Sequence, residues 1–220
     1  MPKRDLPSSF VSVADQIEGA KLSAPSALRN RADVAAMLAG FAPAKGRALE
    51  LASGTGEHVV VFAERMPGID WQPTEIDPAR RASIDAHATE AGLSNIRPAI
   101  SLDVLTPGWG VERSGQDLIH LGNLLHLISD AEAKILLGEA AQALAPGGVF
   151  CLYGPFKRDG RLTSDGDASF DARLRSEDPA IGYKDDAWVA AQLSSAGLVD
   201  FETVEMPANN LALISRKAAD

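Results

Sequence analysis

Apolar positions along the chain alternate between two periods. Short runs of strand character lie at residues 47–51, 69–74, 96–102, 116–121 and 149–153. Between them the period lengthens to that of a helix, at 57–65, 79–91 and 131–144, and a further helix is expected at 27–38. Ala91-Gly92-Leu93 and Ala145-Pro146-Gly147-Gly148 supply helix stops. After Tyr153 a loop over 154–167 leads to short helices near 170–175 and 186–196. Two last strands, 201–205 and 210–214, are joined by Met206-Pro207-Ala208-Asn209, a turn short enough for an antiparallel pair. Such alternation predicts an α/β chain: one doubly wound, seven-stranded, mostly parallel sheet with an antiparallel C-terminal strand pair.

The segment 1–25, with two early prolines and scattered serines, reads as an arm that lies over the site, and 26–220 as one domain. A length of 220 residues suits one α/β domain with a substantial core. No repeat, low-complexity tract or linker divides it.

The stretch ALELASGTGEHVV, residues 48–60, carries the chemistry. A buried run ends in an acid, turns on small residues and enters a helix, as a nucleotide-binding strand–loop–helix does. Glycine lets the backbone turn sharply and lets a ligand approach it closely. A dinucleotide fingerprint would need its third glycine at Val59, so that reading fails. Glu50, Ala52, Gly54 and Gly56 fit the frame acid-x-small-x-Gly-x-Gly instead. This resembles the first motif of class I methyltransferases that use S-adenosylmethionine (SAM), with Ala52 in the place of the family's first glycine.

SAM has a sulfonium, an amino acid end, a ribose diol and an adenine, and no phosphate. Acids rather than a phosphate cradle therefore follow the strands. Glu75, 19 residues past Gly56, agrees with the ~20-residue offset of a ribose-binding acid. Asp77 is its rival, but in TEIDP it reads as the cap of the helix that Pro78 opens. The resemblance implies that Asp103, after the third strand, meets the adenine amino group. Around these, Ser53, His58, Ile76, Val104, Asn123 and Leu124 complete the expected SAM contacts, with S-adenosylhomocysteine (SAH) as product.

In QDLIHLGNLLHLIS, 116–129, the fourth strand ends near Leu121, so the following Gly122, Asn123, Leu124 and His126 face the cofactor's reactive end. His126 is the expected general base, with packing beneath the next helix as the alternative. Packing is expected of His87 and His120. The four histidines have no paired ligand spacing, so no metal site is expected. LYGPFKRDG, SFDARLRSEDPAIG and VEMPANNLALISR, with SAPSALRNRADV near the N-terminus, resemble a small methyltransferase-like family of largely unassigned substrate. That resemblance covers nearly the whole chain and brings Arg29 and Asn30 to the cofactor. Tyr153 is a second expected catalytic group. Lys157 and Arg158 suit an anionic acceptor, against a solvated charged loop. Asn209 is either a turn residue or a substrate contact.

A formal charge of −9 leaves no broad basic surface for nucleic acid. Cys151, the single cysteine, reads as a core residue, and a lone cysteine fits a reducing cytoplasm. The start MPKRDLPSSF lacks a secretion signal, and no apolar run spans a membrane. The expectation is a cytoplasmic methyltransferase with a small-molecule acceptor. A SAM-binding sensor or partner protein, and then an NAD(P)-linked oxidoreductase, are the alternatives.

Overall fold

The computed structural model describes residues 14–219, so the first half of the expected arm lies outside the described residues. The chain begins with an antiparallel hairpin, β1 (Asp15–Glu18) and β2 (Lys21–Ser23). Then follow α1 (Pro25–Ala39), β3 (Gly46–Leu51), α2 (Glu57–Arg65), β4 (Ile69–Pro73), α3 (Pro78–Ala91), α4 (Trp109–Glu112) and β5 (Gln116–Gly122). The second half comprises α5 (Asp130–Ala143), β6 (Leu144–Gly154), α6 (Asp165–Glu177), α7 (Asp186–Ser195), β7 (Leu198–Met206) and β8 (Asn210–Lys217).

Strands β3 to β8 form one sheet in the order β4-β3-β5-β6-β8-β7. The first four are parallel, and β8 runs antiparallel to both β6 and β7. Successive side chains alternate between faces. Ala48, Leu118 and Val149 therefore pack with Val34 and Leu38 of α1 and Phe62 of α2. Leu49, Ile119 and Phe150 pack with Leu136 and Ala140 of α5 and Leu193 of α7 on the opposite face. Cys151 is buried in the first of these cores.

The segment expected to be a third parallel strand, 96–102, is a broken edge. It touches β4 and the residue beyond it through two isolated parallel bridges, Trp71–Ile96 and Thr74–Ile100. Arg97 N–H donates to Trp71 O and Glu75 N–H to Ile100 O, but Pro73 and Pro98 lie between these bonds. Neither proline has an N–H, so the ladder cannot run on. Six continuous strands remain, with this fragment on the β4 edge.

Helix starts follow local chemistry. Asp77 accepts from the N–H groups of Ala79 and Arg80, and Pro78 occupies the first turn. Ser129 and Glu132 make a reciprocal capping box at the start of α5.

Candidate functional site

The sheet's strand order reverses between β3 and β5, and a crevice opens at the carboxyl ends of those strands. A cavity of ≈ 1160 Å³ fills it. Its floor is the β3–α2 turn, residues 52–55, continued by Glu50 and His58. One side is built by Glu75, Ile76 and Asp77, and the far end by the run 102–107. Gly122, Asn123 and Leu124 close the β5 side, and Ala24, Ser26 and Ala27 reach over from the start of α1.

The β3–α2 turn is held from below. Ser53 N–H donates to Thr74 O at 2.8 Å, and Thr74 Oγ1 donates to Glu50 O at 2.9 Å. Ala52 has φ +50 and Gly54 φ +64, so two left-handed residues flank Ser53. At Gly54 an added Cβ would meet only the tip of Arg80, at 3.9 Å, because the space faces the cavity. Gly56 differs, since a Cβ there would lie 2.8 Å from Ile84 Cα. Its hydrogen serves the packing of α2 on α3, and Gly56 is not on the cavity wall.

Glu75 is spent largely on backbone. Its Oε2 accepts from Gly54 N–H at 3.1 Å, and its Oε1 from Ile76 N–H at 2.7 Å and Asp77 N–H at 3.2 Å. A carboxylate has about four lone-pair sites, so acceptor capacity remains. Asp103 Oδ1 accepts from Leu105 N–H at 3.1 Å, which turns the 103–106 segment across the cavity's end.

The N-terminal hairpin is fastened to the same loop. Ala24 N–H donates to Glu57 Oε1 at 2.8 Å, and Thr55 Oγ1 donates to the other oxygen of Glu57. Ser83 Oγ accepts from Leu22 N–H and donates to Thr55 O, both at 2.8 Å, while His87 Nε2 donates to Leu22 O at 2.9 Å. Residues 22–27 are thereby seated at the cavity mouth.

Several expected site residues stand elsewhere. Arg29 and Asn30 are not on the cavity wall. Asn30 Nδ2 donates to Tyr153 Oη at 3.3 Å, and its Oδ1 lies 2.8 Å from His58 Nε2. That arrangement puts the His58 proton on Nε2. Asn210 Nδ2 adds a second bond to Tyr153 Oη at 3.0 Å. Tyr153 thus joins α1 to the sheet, and burial raises its phenol above the usual tyrosine range, so it is a neutral hydroxyl that accepts from both amides rather than a base. His126 packs against Phe170 and Tyr183 beneath α6. Burial, then the nearby Lys184 charge, pushes its imidazole down to about 4, and the ring does not line the cavity. The packing alternative describes this residue. Across the turn of 3₁₀ helix at 125–127, Leu124 and Leu127 line the cavity and His126 between them does not.

Arg158 and Asn209 bind each other. Arg158 Nη1 donates to Asn209 Oδ1 at 2.9 Å, its Nη2 to Glu205 Oε2 at 2.8 Å, and Asn209 Nδ2 donates to Thr163 Oγ1 at 2.6 Å. With φ +60, Asn209 is a turn residue that ties the long loop to the β7–β8 turn. Lys157 lines a second cavity of ≈ 650 Å³, with Arg175, Lys184 and Trp188. Ser129 and Ala131 are shared by both cavities.

The wall also contains a residue that pattern reading assigned to packing. His120 and Glu50 are register partners on β5 and β3, each 2 % exposed, and both line the cavity. Only their pairing across the parallel ladder brings them together, and no local motif announces it.

A family model matches residues 21–217. The chain belongs to the family described as a protein of unknown function, DUF938. Among solved structures it is similar to an O-methyltransferase family protein from Burkholderia thailandensis, with TM-score 0.76 and 20% identity over 88% of this chain and 58% of that one. It is similar too to human N-acetylserotonin methyltransferase in complex with SAM, with TM-score 0.71 and 19% identity over 88% of this chain and 53% of that one. A third is an O-methyltransferase family 2 protein from Planctomyces limnophilus in complex with apigenin, with TM-score 0.71 and 18% identity over 88% and 60%. The fold of this DUF938 chain is that of the SAM-dependent methyltransferases. It spans little more than half the length of the chains it matches. No helix among the described residues is long and apolar enough to cross a membrane.

Proposed function

We propose that this chain is a SAM-dependent methyltransferase with a small-molecule acceptor. One observation carries the reading: Glu50, Gly54, Glu75, Asp103 and Asn123, from four separate segments, surround one cavity at the strand-order switch. The donor set suits SAM. Unpartnered acceptor capacity at Glu50 favours a cation, the carboxylate of Glu75 suits a ribose diol, and Ile76, Val104 and Leu124 give an apolar slot for a flat ring. Gly54 leaves room for close approach to the backbone. In the assignment that the family resemblance suggests, Glu75 takes the ribose hydroxyls and Asp103 the adenine amino group. Bound there, SAM supplies an electrophilic methyl on a cationic sulfur.

The protein's part is alignment and exclusion of water. Fixed geometry alone can supply ~7–11 kcal/mol of barrier reduction, so an elaborate acid–base apparatus is not required. Ala24, Ser26 and Ala27 screen the mouth, while Asn123, held at φ +55 with its N–H bonded to Tyr153 O at 2.8 Å, shapes the reacting end. Tyr153 acts by fixing α1 against the sheet. Lys157 belongs to the neighbouring cavity, whose wall mixes Lys157, Arg175 and Lys184 with Asp130 and Asp185.

The placement of His126 away from the cavity favours a second reading, a SAM-binding protein without transferase activity. The two are separated by titration with SAM and SAH, with NADH as control, followed by a radiolabelled methyl-transfer screen over metabolite pools. Transfer to a small molecule is the expected result. Binding of SAM without transfer to any pool supports the sensor, and binding of NADH alone rejects both.

A further inference from the structure

Six buried side-chain N or O atoms lack a hydrogen-bond partner among the described residues, and three of them sit together. They are Glu50 Oε2 and both ring nitrogens of His120. Native interiors rarely leave such atoms unpaired, and a cluster of them in the wall of a cavity marks a place that something else completes. Their surroundings offer no relief. Phe62 meets the His120 ring edge-on at 4.9 Å, and the His58 ring stands 6.4 Å away with its Nε2 already given to Asn30. Access comes from Gly122. A Cβ there would lie 3.2 Å from His120 Cε1 and 3.8 Å from its Nε2, so the bare glycine keeps the imidazole open toward the cavity.

We propose that Glu50 and His120 form a charge-reading subsite, in which Glu50 is a neutral acid in the free protein and beside a thioether, and gives up its proton when a sulfonium enters. This rests on the SAM-binding reading above. The physical reason is that a buried carboxylate with one oxygen left unpartnered is costly, so the group keeps its proton until a cation arrives. Most groups around Glu50 act in the same sense, and a hydrogen bond from Ser53 opposes them without reversing the balance. Burial, with Glu75 beyond β4 and Glu57 of α2, pushes Glu50 up to about 8. Burial also pushes His120 down to about 3, and His58, beside Glu57 and Arg31, down to about 4, so neither ring supplies a positive charge at neutral pH. SAM and SAH share an ammonium and a carboxylate and differ by the sulfonium methyl. A sulfonium turns the neutral acid into an ion pair, and a neutral imidazole N–H of His120 then has an anion to donate to. On demethylation the carboxylate loses its cation and takes a proton back, which favours release of the product.

Isothermal titration of the full chain with SAM and with SAH, in buffers of differing ionisation enthalpy, reads this directly. At pH 7, SAM is expected to release about one proton per site and SAH well under half of one, and SAM affinity should rise about tenfold per pH unit from 6 to 7. Glu50→Gln keeps the shape and removes the titration. It should abolish proton release and weaken SAM more than SAH. His120→Phe, which adds no polar atom to the interior, should reduce the release and weaken SAM relative to SAH while the protein melts no lower. SAM binding without proton release, or equal release with both ligands, overturns the subsite but leaves the cofactor reading standing. Failure of the parent protein to bind either ligand overturns that reading, and the subsite with it.

Discussion

The backbone N–H of Gly54 donates to Glu75 Oε2 at 3.1 Å, so the acid proposed to bind the ligand also holds the cavity-floor turn. Glu75→Ala should therefore do two things. SAM binding should weaken by roughly 1.5–3 kcal/mol through lost charge-assisted bonds. Hydrogen exchange of residues 52–56 should speed up even without ligand. Glu75→Gln, which can still accept from Gly54, should slow that exchange again without restoring affinity. Normal exchange in Glu75→Ala would show that the turn stands on its other bonds.

The two turn glycines should fail differently. Gly54→Val should fold and lose SAM, because the side chain enters the cavity. The left-handed backbone adds a steric cost of about 1–2 kcal/mol. Gly56→Ala should bind poorly only in proportion to lost stability, since its methyl collides with Ile84 Cα at 2.8 Å. Melting curves paired with titrations separate the two effects. Equal binding by Gly54→Val and the parent would remove the turn from the site.

Ala52 holds a left-handed conformation, φ +50, that a side chain disfavours. Ala52→Gly should raise stability by about 0.5–1 kcal/mol, the relief of strain less glycine's greater chain entropy. For a chain of this size that is ~2 °C in Tm. A lowered Tm would mean that the methyl's packing outweighs the strain.

Stability should peak at about pH 7. His58, His120 and His126 are held well below the ordinary histidine range, at about 4, 3 and 4, by burial. The unfolded chain then binds more protons, and stability falls as pH drops from about 6.5 toward 4. Glu50 has the opposite sign. Its folded value of about 8 lies above the ordinary glutamate value, so its contribution is lost as pH rises from about 4.5 through 8. Below about pH 7 the three histidines outweigh it, and above about 7 it outweighs them. Glu50→Gln should flatten the alkaline limb, and His126→Phe should make the acid limb shallower. Thermal melts from pH 4.5 to 8.5 check both slopes.

Tyr153→Phe should cost about 1–2 kcal/mol of stability by stranding the amides of Asn30 and Asn210, with SAM affinity within about twofold of the parent. A large loss of turnover with unchanged affinity and stability would instead return Tyr153 to the reacting centre.

By itself, the sequence determined most of the strand–helix order, the antiparallel C-terminal pair, the β3–α2 turn and the two acids Glu75 and Asp103. These are written in local signals: alternation, glycine spacing, helix caps, and short offsets along one chain. The Asp77 cap was legible for the same reason. Tertiary structure decided what depends on where distant segments meet. Pro73 and Pro98 fall between the two bridges only once the segments meet, so the strand expected at 96–102 became a broken edge. Arg158 and Asn209 found each other across 51 residues and so brace a loop. His126 stayed off the cavity wall that Leu124 and Leu127 line on either side of it. Cross-strand register set Glu50 beside His120, because pairing in a parallel sheet is fixed by packing and hydrogen bonding between segments, and no single segment encodes it.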